Sequence, residues 1–232
     1  MKSEREIFII SEVHPQHSGS LCNLQAMILQ SKLGGAHCVK VQLYNPIKLQ
    51  GNNDRLYSQI SFNELESIKA YCDKIEIDLF ASVFDEERFE WCEELNFKYH
   101  KVAKRVNDNN LIEKMVKTEK PCFLSNDDFS WSKYKNVKYF YCIAEYPTPL
   151  ENITMPQKFC ASRTEKYQGI SDHSFGTAAC LCAMSRGAAY IEKHFTLSKG
   201  MQRNLEKGHL GSMNLQDLQQ IKQFSLDVKH II

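Results

Sequence analysis

His173 and His194 are the residues of this chain whose type and spacing most clearly suggest chemistry. Residues 167–171 are typical of a short strand, residues 175–188 of a helix rich in Ala and Leu, and residues 189–196 of a second strand. A right-handed crossover makes the two strands parallel, so both histidines should emerge at the same edge of the sheet. Two imidazoles on one rim could bind a divalent metal ion.

The alternative is that each histidine only caps the end of a strand, which is the usual role of an isolated histidine there. Side chains alternate in direction along a strand, so Ser171 and His173 share one face, and Glu192, His194 and Thr196 share another. A polar face is costly in a protein core and expected in a binding site. We therefore favour a site.

The motifs SDHSFG (171–176) and IEKHFT (191–196), with the small-residue helix between them, resemble the last two strands of the N-acetylneuraminate (sialic acid) synthase family. The resemblance extends over most of the chain. Members of that family condense phosphoenolpyruvate with an amino-sugar aldehyde on a (β/α)8 barrel. The resemblance implies that His173 and His194 are the metal ligands, as the histidines at these positions are in the family.

Composition limits the other functions that the chain could have. Its 232 residues suffice for one compact barrel, and a net charge of +1 without a basic tract argues against nucleic acid or a membrane surface as partner. The nine cysteines form no CxxC pair, which favours reduced thiols. The N-terminus has no signal-peptide pattern. We expect a cytoplasmic protein whose partners are small molecules.

Strand-like and helix-like segments alternate throughout, which is typical of a parallel α/β fold. Strands are predicted at 6–13, 38–44, 78–84, 99–104, 121–126, 137–146, 167–171 and 189–196. Helices are predicted at 20–33, 61–74, 85–95, 109–118, 155–163, 175–188 and 214–230. Residues 127–136 are too few for a barrel helix, so helix five should be a loop or single turn, and residues 45–61 are a candidate substrate loop. Together these segments predict a single, compact (β/α)8 TIM barrel over residues 1–232.

TIM barrels carry their chemistry at the carboxyl ends of the strands, and polar residues fall there in this chain. Any one of them could be a turn or edge residue, but their occurrence on most of the strands favours a site. Lysines and hydroxyls suit the phosphate and carboxylate of phosphoenolpyruvate. The resemblance implies phosphoenolpyruvate contacts, with a serine replacing a threonine at position 82, at Lys40, Ser82, Lys101, Ser125, Tyr146 and Ser171.

Glu12 matches a glutamate that the family places near the reacting carbons, where it could accept or deliver protons. The alternative role for Glu12 is a salt bridge at the barrel end. Two protein imidazoles leave coordination positions open, which suits Mn²⁺ first and also Mg²⁺ or Co²⁺. Such an ion could polarise the aldehyde and activate the water that adds to phosphoenolpyruvate.

The acceptor side departs from the family pattern. The run KVAKRV (101–106) puts Val106 where the family has an acceptor-binding glutamate, and HPQH (14–17) and residues 201–209 replace two other family segments. The family's C-terminal antifreeze-like domain is not expected, so a homodimer or a separately encoded lid domain could complete the site. We predict an anionic or phosphorylated aldehyde, bound by His17, Gln42, Lys104 and Arg105.

The sequence thus predicts a transferase that makes a 2-keto-3-deoxy sugar acid, of the sialic or nonulosonic acid kind, and releases phosphate. Two alternatives stay open. One is an altered barrel that serves as a sugar-phosphate binding or scaffold subunit, and the other is a metal-dependent aldolase or lyase. Retention of Glu12, both histidines and the phosphoenolpyruvate set favours the synthase.

Overall fold

The structure is a computed structural model that describes residues 6–160, 166–201 and 209–230. Eight parallel strands close into a barrel in chain order, with the last strand paired to the first. This confirms the predicted (β/α)8 TIM barrel. The strands are β1 Phe8–Glu12, β2 Cys38–Leu43, β3 Asp78–Val83, β4 His100–Val102, β5 Cys122–Leu124, β6 Val137–Cys142, β7 Gly169–Asp172 and β8 Tyr190–His194.

Helices surround the barrel and begin at polar capping residues. At the start of the third helix, Ser61 and Glu64 form the capping box that the sequence predicts, each side chain accepting from the other's backbone N–H. Such a cap stabilises a helix by about 1 kcal/mol. The helices are α1 Leu21–Leu33, α2 Pro46–Gln50, α3 Phe62–Lys74, α4 Glu86–Glu94, α5 Asn109–Lys117, α6 Ala178–Ser185 and α7 Leu215–Asp227. No helix in the described ranges is both long and apolar enough to cross a membrane.

In place of the barrel helix between β5 and β6, the chain forms a 3-10 turn, Phe129–Lys133, as the sequence predicts. The predicted helix at 155–163 is wrong over residues 155–160, which are irregular, and its other residues lie outside the described ranges. Pro156 has no N–H to donate, and the Arg186 guanidinium donates to the carbonyl oxygens of Met155 (3.0 Å) and Pro156 (3.1 Å). These carbonyls therefore bond to a side chain and not to a following helical turn.

Two other segments differ from the sequence-based expectation. The sixth strand ends at Cys142, four residues early, because the carbonyl oxygen of the next residue, Ile143, bonds to the ring of His173. The predicted loop at 45–61 contains the helix α2, whose N-cap Asn45 accepts from the Lys48 N–H and whose first residue is Pro46.

The inside of the barrel has an aromatic lower half, toward the amino ends of the strands. Phe123 packs against Phe80, Phe140 and Tyr190 with ring centroids 5.2 to 5.8 Å apart. These four rings form an aromatic plug. A Cβ on Gly169 would lie 2.6 Å from the Tyr190 backbone oxygen, so the glycine makes room for the plug. Two residues further along, the inward-facing side chains of most strands are polar, for example Ser82, Ser125 and Glu192, and the aromatic rings form the bottom of the site above them.

Candidate active site

A cavity of about 670 Å³ opens at the carboxyl ends of the strands. Its wall brings together all the site residues predicted from the sequence except His17. These are Glu12, Lys40, Gln42, Ser82, Lys101, Lys104, Arg105, Ser125, Tyr146, Ser171, His173 and His194. The alternation of side chains along the strands assembles the residues of the floor, and the segments that follow β4, β6 and β7 add the others.

Two buried lysines form the floor of the cavity. The Lys40 Nζ donates to Ser82 Oγ (2.9 Å), and the Lys101 Nζ donates to Ser125 Oγ (2.7 Å). Burial would lower the pKa of Lys40, but Glu12 and a second carboxylate outweigh it and raise the pKa to about 12. Burial lowers the pKa of Lys101 below its ordinary value. Two ammonium groups beside two hydroxyls are a suitable set of donors for an anionic ligand.

The second carboxylate is Glu192, which the site prediction missed. Its Oε1 accepts from Ser171 Oγ (2.7 Å) and lies 3.4 Å from the Lys40 Nζ, while its Oε2 lies 3.3 Å from the Lys101 Nζ. Burial would raise the pKa of Glu192, but the two lysines outweigh it and lower the pKa to about 2. Strand alternation placed Glu192 on the face of His194, which was the available signal.

Glu12 has the opposite electrostatic environment. Burial dominates and raises its pKa to about 7, although Glu12 forms an ion pair with Lys40 and accepts from the His14 N–H (3.2 Å). One buried carboxyl group thus titrates near neutrality while its neighbour stays ionised. Carboxyl groups with pKa values driven apart in this way are suited to separate roles, one in proton transfer and one as a fixed charge.

The two histidines lie at the rim above the floor, with ring centroids 5.4 Å apart. His173 Nδ1 donates to the Ile143 carbonyl oxygen (3.0 Å), which leaves Nε2 unprotonated on the neutral ring. Burial lowers the pKa of His173 to about 4 and lowers that of His194 well below its ordinary value. Both rings therefore carry a free lone pair at neutral pH. His194 Nδ1 is buried without a hydrogen-bond partner among the described residues.

These features fit a pair of metal ligands. Within the described ranges, no group of three or more His, Cys, Asp or Glu is placed to hold a metal ion. The two imidazoles that the sequence singled out, His173 and His194, are the candidate ligands at this rim.

The mouth of the cavity is built differently, from residues beyond the strand ends. Lys104 forms an ion pair with Asp127, and the Arg105 guanidinium lies 5.7 Å from the Tyr146 ring centroid. The Tyr146 ring in turn lies 4.3 Å from the His173 ring.

The structure adds Arg55 and His209 to the mouth. Arg55 comes from the segment between β2 and α3, within the predicted substrate loop, and lines the cavity. The His209 ring lies 4.2 Å from the His194 ring, edge to face. Sequence reasoning missed both because neither lies on a strand with an alternating pattern.

The sequence predicts that His17 binds the acceptor, but His17 is not part of the cavity wall. Its Nε2 lies 3.3 Å from His14 Nδ1, and its Nδ1 accepts from the Gly19 N–H (3.0 Å). The chain turns back on itself directly after β1, so this ring packs behind His14, which reaches the hydroxyl of Tyr44 (3.4 Å). Tyr44 lines the cavity in place of His17.

Comparison with known proteins agrees with this geometry. The model of the NeuB family matches residues 27–232. The chain belongs to the NeuB family. The resemblance inferred from residues 171–176 and 191–196 is therefore confirmed.

Similar members include named synthases. The chain is 29% identical to the pseudaminic acid synthase of Campylobacter jejuni over 86% of its own length and 68% of the relative. It is 26% identical to the human N-acetylneuraminate-9-phosphate synthase over 89% of its own length and 68% of the relative. It thus spans about two thirds of the length of these relatives.

The same barrel fold is seen in a solved structure. The sialic acid synthetase of Leptospira borgpetersenii serovar Hardjo-bovis superposes with a TM-score of 0.88 at 22% identity. The match covers 98% of this chain and 85% of that chain. This likeness supports the barrel fold.

Proposed function

We propose that this protein condenses phosphoenolpyruvate with a sugar aldehyde, giving a 2-keto-3-deoxy sugar acid of the nonulosonic acid kind and phosphate. The observation that carries the proposal is one cavity with two buried lysines on its floor and two neutral imidazoles at its rim. The names of the NeuB relatives, a pseudaminic acid synthase and an N-acetylneuraminate-9-phosphate synthase, support the same reaction class.

The floor binds phosphoenolpyruvate. Lys40 and Lys101 contact its phosphate and carboxylate, and the hydroxyls of Ser82 and Ser125, which accept from these lysines, are available as further donors. Ser171 also lines the cavity, with its hydroxyl proton donated to Glu192. Burial strengthens these charge-assisted contacts because water does not compete for the donors. The aromatic plug below keeps the ligand at the level of the strand ends.

Glu12 moves protons near the reacting carbons. Its pKa of about 7 makes both protonation states accessible at neutral pH, which suits a group that accepts and then returns a proton. His173 and His194 would hold a divalent ion, of which Mn²⁺ is the expected one, and the bound ion would supply Lewis-acid polarisation of the aldehyde oxygen.

The acceptor is an anionic, for example phosphorylated, aldehyde. Lys104, Arg105 and Arg55 bring positive charge to the mouth, with Gln42 and Tyr146 as neutral polar neighbours. Val106 is buried where the family glutamate would contact the acceptor's hydroxyls. N-acetylmannosamine itself should therefore be a poor substrate. A homodimer or a separate lid domain could supply further acceptor contacts, and the use of phosphoenolpyruvate favours the cytoplasm as the place of action.

The test is a panel assay of the purified protein with phosphoenolpyruvate, Mn²⁺, and neutral and phosphorylated N-acetylhexosamines. We expect phosphate release that requires both substrates, and a product mass equal to aldehyde plus pyruvate. Carbon–carbon cleavage of a sugar acid without phosphate chemistry would favour an aldolase or lyase. Binding of sugar phosphates without turnover by any aldehyde would favour a binding subunit.

A further inference from the structure

Glu192 is the carboxylate that the two floor lysines share. It lies on β8 opposite Ile10, one inward-facing layer below His194, and is 4% exposed. Each of its oxygens faces a different lysine, Oε1 at 3.4 Å from Lys40 and Oε2 at 3.3 Å from Lys101. Ser171 fixes the orientation of the carboxylate through a hydrogen bond to Oε1.

We propose that Glu192 is a positioning residue for phosphoenolpyruvate, which acts by holding Lys101, and to a smaller extent Lys40, charged and in place for the anionic ligand. This inference rests on the proposed function, because it concerns how the floor binds that substrate. Glu192 has no part in bond making or breaking in this account.

The two lysines depend on Glu192 to different degrees. Lys40 has a second ion-pair partner in Glu12, whereas Glu192 is the only carboxylate within 4.0 Å of the Lys101 Nζ among the described residues. Loss of the Glu192 charge would therefore affect Lys101 most. The ammonium would then lie at 1% exposure next to a second buried cation.

The other groups that face Lys101 cannot replace this charge. Ser125 on β5 offers a neutral hydroxyl, and on β6 the Phe140 ring lies 4.2 Å from the Nζ and Cys142 lies nearby as a buried thiol. Lys40 on β2 is repulsive. Burial already lowers the pKa of Lys101, and Glu192 opposes that effect.

Charge repulsion alone predicts the opposite change in phosphoenolpyruvate affinity, so the proposal can be tested. Phosphoenolpyruvate is an anion, so a carboxylate at the floor repels it, and removal of that carboxylate should tighten binding. If Glu192 positions Lys101, its removal should weaken binding, because a displaced or deprotonated lysine no longer attracts the ligand. The sign of the change in affinity decides between the two.

The experiment is calorimetric titration of the full chain with phosphoenolpyruvate, without an acceptor. In Glu192→Gln we expect the dissociation constant to rise about tenfold or more. Glu192→Asp keeps the charge and should lose less. Glu145→Gln, an exposed carboxylate change at the same end of the barrel, should bind like the native protein.

A double-mutant cycle shows whether Glu192 acts through Lys101. Once Lys101→Met has removed the ammonium, adding Glu192→Gln should cause little further loss of affinity, whereas a general structural defect would add its full effect. If Glu192→Gln does not unfold cooperatively, Glu192→Asp takes its place in the cycle, with a smaller effect of the same sign expected.

Equal or tighter binding by the Glu192 variant, or additive losses in the cycle, would overturn the positioning role. Failure of the native protein to bind phosphoenolpyruvate would instead overturn the proposed function. The two failures are therefore distinguishable.

Discussion

The floor and the mouth of the cavity both carry positive charge, but they are constructed in different ways. On the floor, Lys40 and Lys101 project from strands, are nearly inaccessible to water, and are neutralised by carboxylates inside the barrel. At the mouth, Lys104 and Arg105 follow the end of β4 and are more exposed, and Lys104 pairs with Asp127 outside the cavity wall. The floor residues therefore belong to the strands of the barrel, and the mouth residues belong to the segments beyond the strand ends.

The two regions should tolerate substitution to different degrees. A floor charge has little solvent screening and fixed partners, so its removal leaves another charge buried and unpaired. A mouth charge is screened by water and salt, and exposed pairs contribute at most about 1 kcal/mol. Residues at the mouth can thus vary while those of the floor are retained.

The largest effect should come from the rim histidines. We expect His173→Ala and His194→Ala each to abolish Mn²⁺-dependent turnover, because two protein donors cannot lose one and retain the ion. The fold should persist, since both side chains lie above the core. Mn²⁺ should raise the Tm of the native protein and not that of either variant. An unchanged native Tm, or a variant with metal-dependent turnover, would contradict the ligand assignment.

Glu12 should produce the next largest effect, on stability. Its folded pKa of about 7 lies above the ordinary 4.5, so the folded state holds a proton that the unfolded state has lost, and stability falls as pH rises through this range. Over this range the loss is about 3 kcal/mol, at 1.36 kcal/mol per pH unit.

Glu12→Gln removes this loss. The stability of the variant relative to the native protein should therefore increase from pH 4.5 to 7 in urea titrations, whatever constant offset the altered Lys40 contact adds. The exposed change Glu90→Gln is the control for loss of a carboxylate at the surface. A difference between Glu12→Gln and the native protein that does not change with pH would show that Glu12 is not held protonated by burial.

The floor lysines should produce a binding effect of about 1.5 to 3 kcal/mol each. Lys40→Ala and Lys101→Ala should weaken phosphoenolpyruvate binding by roughly ten- to a hundredfold, measured by calorimetry, with a much smaller effect on the acceptor. Lys98→Ala is the matched control, because Lys98 is an exposed lysine that lies just before β4 in the sequence. Native affinity in both floor variants would make the floor assignment wrong.

The smallest effect should come from the mouth. Reversing the charges of Lys104 and Arg105 to Glu should raise the KM for N-acetylmannosamine 6-phosphate several-fold at low salt, and the effect should fade as ionic strength rises. The KM for phosphoenolpyruvate should stay nearly constant. Efficient turnover of unphosphorylated N-acetylmannosamine, with no salt effect on its KM, would refute the predicted acceptor class.

The same division explains what the sequence could predict. Alternation along β8 placed Glu192 and His194 on one polar face, because a period of two is fixed by strand geometry. Lys40 and Lys101 were predictable from the resemblance to the sialic acid synthase family and from their positions near strand ends. The capping box formed by Ser61 and Glu64 was also predictable, because its hydrogen bonds join residues that are close in the sequence.

Features that depend on contacts between distant segments were not predictable. The helix expected at 155–163 is missing from residues 155–160 partly because Arg186, some thirty residues later, takes the carbonyl groups of Met155 and Pro156. Arg55 lies at the mouth because of the path of the segment between β2 and α3. The turn after β1 places His17 behind His14 and outside the cavity wall. The role of Glu192 became visible only when two lysines from other strands lay against it.

The most direct test is a crystal structure of the protein with Mn²⁺ and phosphoenolpyruvate, using anomalous scattering to locate the metal. The account predicts a Mn²⁺ peak about 2 Å from a ring nitrogen of both His173 and His194. It also predicts phosphoenolpyruvate oxygens within hydrogen-bond distance of the Lys40 and Lys101 ammonium groups. A metal peak elsewhere, or phosphoenolpyruvate held only by Lys104 and Arg105 at the mouth, would contradict it.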